Sequence, residues 1–340
     1  MKNKNKKNFF VIAEVGQNHQ GKVSLALEYV KIFAGLGADA VKFQIRNNKT
    51  LFSKEAYKAK YNSENAFAKT YGKHREKLEL SYKDLIKVKK ECKKNKVKFM
   101  VTPFDEKSLE KICKIGVDII KIASFDLGNL PLIHRIASKK KTTVISVGGG
   151  NMKQITSSIK TLKKNVKNII ILHCNSEYPT PYQRLGLGNI VTLKKKFKKC
   201  TIGSSDHFNG ILSGPIAYML GARVFEKHVT LNRSWRGTDH SFALEPEGFR
   251  KFVRDIERTP EMLPLKNKIL IGKEAVFKKL GKSITASKII KKNKKIKITD
   301  LTGMIFQDNF IPVRMSNEII GKKALKDLLP GKPIIKGDYK

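Results

Sequence analysis

Eight short apolar runs, each ending in a side chain capable of chemistry, constrain this chain more than any other feature. In order they are FFVIAE ending at Glu14, ADAVKFQ carrying Lys42 and Gln44, KFMVT ending at Thr102, and DIIKIAS carrying Lys121 and Ser124. TTVIS ends at Ser146, NIIILHCNS at Ser176, TIGSSDH carries Ser205 and His207, and RVFEKH carries Glu226 and His228. Parallel strands buried on both faces read as continuous apolar runs. In a (β/α)8 barrel the chemistry gathers where the strands reach their carboxyl ends. Eight repeats of one pattern predict an α/β fold, a TIM barrel whose open face carries an enzyme site.

Between the runs lie segments with helical spacing. SLALEYVKIFAGLGA follows the first run, and LSYKDLIKVKKECKKN opens with Ser81 as N-cap and Asp84 three residues on. FDEKSLEKICKIG starts near Asp105 and closes at Gly116. The connection 45–80 is long, and loops of that length usually serve function. Residues 1–8 read as a disordered basic tail, 9–257 as the barrel, and 258–279, with two prolines, as a linker. Residues 280–340 read as a small β-rich domain, with GKKALKDLLPGKPIIKGDY giving a short helix, a Pro-Gly turn and a final strand. Such a unit holds only a marginal core.

The formal net charge is +41, yet only 11 of the 70 basic residues are arginine, and the lysines spread over helix-like segments. Nucleic-acid readers gather Arg and Lys on one face among stacking aromatics. That interleaving is absent, so no specific nucleic-acid partner is expected, although the field attracts anionic substrates. No apolar run approaches a membrane span, and Glu14 interrupts the first run, so neither membrane nor signal peptide is expected. Four scattered cysteines without CxxC spacing read as free thiols in the cytoplasm.

His207 and His228 end consecutive runs, so both imidazoles are expected to face one point above the barrel as an open site for a divalent metal. Lys42 and Lys121 lie inside apolar runs, where an unpaired ammonium is costly. With Thr102, Ser146, Ser176 and Ser205 they describe a pocket for phosphate and carboxylate. Each hydroxyl taken singly also fits a strand-end hydrogen bond. VGGG at 147–150 offers backbone N–H groups to a phosphate or is simply a turn. Glu14, Gln44, Tyr178 and Asp239 are candidates to hold a polyol and move a proton. His19 either reaches the mouth or caps a loop. Lys69, Lys73, His74 and Arg75 cluster in the long loop, where Arg75 offers a bidentate fork to a sugar phosphate. A phosphorylated anion, a metal and a carboxylate at one mouth suit an aldol-like condensation with phosphoenolpyruvate.

AEVGQNHQG, GADAVKFQ, TPFDE, KIAS, HCNSEYPTP, SDHFNG, EKHVTL and GTDHSFALEPEGF together resemble the sialic acid (N-acylneuraminate) synthases. The terminal unit, with IIGKKAL, resembles their antifreeze-like (SAF) domain. The resemblance implies condensation of phosphoenolpyruvate with N-acetylmannosamine or its 6-phosphate, giving N-acetylneuraminate or its 9-phosphate. It implies that His207 and His228 hold Mn2+ or a similar ion, and Glu14, His207 and His228 are the expected catalytic residues. It implies that Lys42, Thr102, Lys121, Ser146, Ser176 and Ser205 contact phosphoenolpyruvate, and that Glu14, Gln44, Tyr178 and Asp239 contact the sugar. A domain-swapped homodimer is implied as well. TYGKHREKLELS and WRGTDHS look like the animal-type enzymes that use the 6-phosphate. The chain departs from many bacterial members at Val147–Gly148, where they have STGM, at Ser176, where they often have Asn, and at GMIFQDNFIPV, which lacks their Arg. The rivals are a legionaminate or pseudaminate synthase of the same class and a non-catalytic sugar- or polyanion-binding barrel.

Overall fold

In the computed structural model, which describes residues 7–263 and 275–340, eight parallel strands close into a barrel in sequence order. They are β1 (Phe10–Gly16), β2 (Ala40–Ile45), β3 (Lys98–Pro103), β4 (Ile119–Ile122), β5 (Thr142–Ser146), β6 (Ile169–Cys174), β7 (Thr201–Asp206) and β8 (Val224–His228). β1 pairs with both β2 and β8, Glu14 lying opposite Lys42 on one side and His228 on the other.

The barrel interior explains where the polar residues stand. Ile12, Ala40, Met100, Ile119, Val144, Leu172 and Val224 form a buried apolar plug. Side chains two apart on a strand share a face. Two residues beyond each plug position come Glu14, Lys42, Thr102, Lys121, Ser146, Cys174 and Glu226. β7 follows the same rule with Gly203 and Ser205. A Cβ at Gly203 would lie 2.2 Å from the Val224 carbonyl oxygen and 2.5 Å from Leu172 Cδ2, so only glycine fits that level. Thus one apolar layer supports one polar layer, the latter at the carboxyl ends of the strands.

The larger core lies between strands and helices. Helix Val23–Gly35 buries Ala26, Tyr29, Val30 and Phe33, a stripe at helical spacing. Helix Tyr82–Lys94 begins as expected, the Ser81 side chain accepting from Asp84 N. Helix Glu106–Ile115 is capped by Asp105 and ends at Gly116, whose φ of 81° suits a residue without Cβ. The long connection after β2 folds into short helices Asn48–Leu51, Lys54–Lys58 and Tyr71–Lys77.

Two expectations are corrected. The linker does not begin at 258, because helix Pro246–Met262 runs on through Pro260. Its buried stripe Phe249, Phe252, Val253, Ile256 and Thr259 keeps helical spacing across that boundary, and tertiary burial there outweighs the proline. The rest of the expected linker includes 264–274, outside the described residues, and helix Ala275–Leu280. In the C-terminal unit, β9 (Ser283–Ala286) pairs antiparallel with β10 (Leu301–Met304) over a core of Ile284, Ala286, Ile290, Ile296, Ile319, Ala324, Leu328 and Ile334. KKALKDLL is not a helix; it runs extended, bridging Lys323 to Lys295 and Leu328 to Ile290. Lys292 N donates to Asp327 Oδ1 at 2.8 Å, so this segment's polar groups serve cross-chain pairing.

Candidate active site

The polar layer floors a cavity of about 550 Å³ at the carboxyl ends of the barrel strands. Glu14, Lys42, Gln44, Arg75, Thr102, Lys121, Ser146, Tyr178, Ser205, His207, His228 and Asp239 all line it, so twelve of the thirteen expected site residues meet in one place.

At the centre is a cluster of two cations and two carboxylates. Lys42 Nζ lies 2.8 Å from Glu14 Oε2 and 3.7 Å from Glu226 Oε1; Lys121 Nζ lies 3.8 Å from Glu226 Oε1. All four groups are buried. Gln44 Nε2 donates to Glu14 at 2.8 Å, Lys42 to Thr102 Oγ1 at 3.3 Å, and Ser205 Oγ to Glu226 at 3.0 Å. Burial pushes the Glu14 carboxyl up, with the Glu226 charge adding to it and Lys42 pulling the other way. Burial also works on Glu226, but Lys121 and Lys42 together hold it below the ordinary range. Burial lowers Lys121, whereas Glu14 and Glu226 overcome burial and raise Lys42. Among the described residues Lys121 donates only to its neighbour's carbonyl, Ile122 O at 3.2 Å, which leaves donor capacity unused. Ser146 Oγ and Glu226 Oε2 are buried without a hydrogen-bond partner among the described residues.

Beside this cluster stand the two imidazoles, with ring centroids 5.3 Å apart. His207 Nδ1 lies 2.6 Å from the Asn175 carbonyl oxygen. A carbonyl only accepts, so Nδ1 carries the proton and Nε2 the lone pair. His228 Nδ1 is buried without a hydrogen-bond partner among the described residues and lies 3.8 Å from Asp239 Oδ2. Burial, aided by His228, brings His207 down to about 4. Burial lowers His228 too, against the pull of Asp239. Both rings are therefore neutral near pH 7, the state in which imidazole ligates metal. Two neutral donors, one with an orphaned nitrogen, fit a divalent ion that keeps positions open for oxygen ligands. Among the described residues no set of three or more His, Cys, Asp and Glu forms a closed metal cage.

The remaining candidates separate. Ser176 does not line the cavity. β6 ends at Cys174, so Cys174 takes the place in the polar layer and Ser176 lies beyond it. A Cβ on Gly148 would meet Ser176 Oγ at 2.5 Å and Ser124 Oγ at 3.0 Å, so the glycine lets two hydroxyls close on the backbone after β5. His19 caps its loop: Nδ1 accepts from Gly21 N at 3.1 Å. Of the loop cluster only Arg75 lines the cavity, donating to Tyr71 Oη at 2.8 Å. Lys69 and Lys73 are exposed, and His74 is buried against Tyr61, Phe67 and Tyr71, with burial bringing it down to about 4. Lining residues outside the expected set include Gln17, Arg46, Ser124, Cys174 and Glu226. Ser124 ends one of the eight runs, and Glu226 lies two residues before the end of another, on the same strand face as His228, a period-two signal visible in the sequence.

No described helix is long and apolar enough to cross a membrane. Residues 29–268 match the model of the NeuB family. The chain is 34% identical to the N,N'-diacetyllegionaminic acid synthase of Legionella pneumophila, over 96% of this chain and 93% of that protein. It is 32% identical to the N-acetylneuraminate-9-phosphate synthase of Homo sapiens, over 93% and 88%. The crystal structure of the N-acetylneuraminic acid (sialic acid) synthetase of Leptospira borgpetersenii superposes with a TM-score of 0.69 at 30% identity, covering 82% of this chain and 95% of that one. The non-catalytic rival falls with these matches. The chain belongs to the NeuB family and is an enzyme, a transferase of the sialic acid synthase type.

Proposed function

We propose that this enzyme condenses phosphoenolpyruvate with N-acetylmannosamine or its 6-phosphate, releasing phosphate and forming N-acetylneuraminate or its 9-phosphate. The observation that carries the reading is the juxtaposition of two buried lysines, three hydroxyls and two neutral imidazoles around one cavity. Lys42, Lys121, Thr102, Ser146 and Ser205 hold the phosphate and carboxylate of phosphoenolpyruvate through charge-assisted hydrogen bonds. Gln44, Tyr178, Asp239 and Arg75 hold the acceptor sugar. C3 of phosphoenolpyruvate attacks the aldehyde carbon, and a new C–C bond forms as the aldehyde oxygen takes a proton. Glu14, whose carboxyl burial pushes up, is the group placed to handle that proton. Water adds to the cationic C2, and phosphate leaves with its bridging oxygen. His207 and His228 would hold a divalent ion, Mn2+ by first choice, which when bound polarises the aldehyde oxygen as a Lewis acid. Four free cysteines suit a reducing compartment such as the cytoplasm.

The relatives' names divide between acceptor sugars, so the test is a screen. Purified protein with Mn2+ and phosphoenolpyruvate is offered hexosamines acylated at one or two positions, free and as 6-phosphates, and phosphate release is followed. N-acetylmannosamine or its 6-phosphate should give the highest kcat/KM. A higher value for a doubly acylated sugar moves the enzyme to the legionaminate or pseudaminate group, and no sugar-dependent release refutes the reading.

A further inference from the structure

Between the two imidazole-bearing strands lies a charge pair that the chemistry above leaves unused. Asp206 and Lys227 are register partners across β7 and β8, each one residue from an imidazole. Alternation along the strands turns Ser205, His207, Glu226 and His228 to the cavity, and neither Asp206 nor Lys227 lines it. Both are buried, Asp206 at 6% exposure and Lys227 at 1%. Lys227 Nζ donates to Asp206 Oδ1 at 2.5 Å and to the Phe208 carbonyl at 2.6 Å. Asp206 Oδ1 also accepts from Phe208 N at 3.0 Å, and Oδ2 from Ser213 Oγ at 2.7 Å. The backbone on the far side of His207 is therefore tied through both polar groups of Phe208. The His207 carbonyl itself accepts from Thr180 N at 3.1 Å.

Stability does not explain such a pair. Taking two charges out of water is costly, and well-packed apolar residues of similar volume are often neutral or better in that place. What an apolar pair lacks is direction. The carboxylate and ammonium dictate where the Phe208 N–H and C=O point, and so set the backbone that aims the His207 ring.

We infer that the Asp206–Lys227 pair is a positioning element that holds His207 and His228 at a common point. The inference rests on the reading of those histidines as the metal-holding pair. Outer-shell partners of metal ligands typically cost about 10–100-fold in metal affinity when removed.

The test is the double variant Asp206→Leu/Lys227→Met in the full chain, beside wild type. Mn2+ affinity is measured from the free-ion electron paramagnetic resonance signal, together with the melting temperature. The imidazole 15N signals of metal-free protein are recorded as well, assigned from His207→Gln and His228→Gln. The expected result is a retained or raised melting temperature, Mn2+ binding weaker by roughly 10–100-fold, and broadened or multiple signals for the two histidines. A second variant, Asp206→Asn/Lys227→Gln, keeps neutral hydrogen-bonding groups and carries the same readouts if the apolar pair fails to fold. Unchanged Mn2+ affinity and unchanged histidine signals overturn the inference. So does a fall in melting temperature that accounts for the weaker binding in both variants, which makes the pair a stability element. Wild type that binds no Mn2+ sinks the metal reading instead, and the positioning role is then decided by the histidine signals alone.

Discussion

Replacing Lys42 by methionine should destabilise the barrel in a pH-dependent way. Lys42 lies 2.8 Å from Glu14 and 3.7 Å from Glu226. At an effective dielectric near 20 these contacts are worth about 6 and about 4.5 kcal/mol before desolvation. Removing one partner of a buried pair costs about 3–5 kcal/mol net, because the other charge is left uncompensated. Among the described residues Glu226 keeps Lys121 and Ser205, whereas Glu14 keeps only the Gln44 amide, so Glu14 is the group that must take a proton. Its folded value then rises further above the ordinary 4.5. Between those two values the folded barrel binds more protons than the unfolded chain, so stability falls as pH rises through that window and recovers below it. Urea unfolding of wild type and Lys42→Met at about pH 8 and about pH 5 measures this directly. The deficit should approach 3–5 kcal/mol at the higher pH and shrink at the lower. A deficit that is pH-independent, or none at all, refutes the coupling of Lys42 to Glu14.

Other outcomes follow from the same geometry. Glu14→Gln keeps the hydrogen bond to Gln44 and the shape of the site, so phosphoenolpyruvate affinity should hold while kcat falls by about 10²–10⁴; a kcat within a few-fold of wild type reduces Glu14 to a structural part. Exhaustive chelation should abolish turnover and Mn2+ restore it, and the His207→Ala/His228→Ala double variant should not respond to Mn2+; full activity after chelation refutes the metal's role. Arg75→Ala should lower kcat/KM for the 6-phosphate by about 10–100-fold, the worth of a charge-assisted hydrogen bond, and leave the free sugar nearly unchanged; equal effects on both substrates place Arg75 in loop structure alone.

The sequence and the fold agree where one physical rule is at work. Strands buried on both faces must be apolar, so the runs ending at Glu14, Lys42, Thr102 and Lys121 stand out against lysine-rich helices. Ser176 lies outside the cavity lining because NIIILHCNS continues past its strand, and the plug residue Leu172 shows that Cys174 is the inward position. Ser124 ends its run and Glu226 lies two residues before the end of another, but nothing in a linear reading shows that Glu226 sits between two lysines contributed by β2 and β4. Lys69, Lys73 and Arg75 are equivalent in sequence, and only the packing of the Tyr71–Lys77 helix turns Arg75 inward. KKALKDLL carries helix-forming residues, yet pairing to Ile290 and Lys295 decides its state. Local propensity is a weak guide where tertiary pairing satisfies the backbone.

The central claim is that carbon, not phosphorus, is attacked in phosphoenolpyruvate. In the proposed reading the lysines and hydroxyls of the cavity hold the phosphate ester, and among the described residues no cluster of three or more His, Cys, Asp and Glu offers the two-metal clamp of phosphoryl transfer. Phosphoenolpyruvate labelled with 18O in the bridging oxygen, incubated with enzyme, Mn2+ and the preferred sugar, separates the two outcomes by mass spectrometry of the products. C–O cleavage puts the label in the released phosphate. Label retained in the sugar acid means P–O cleavage and contradicts the mechanism.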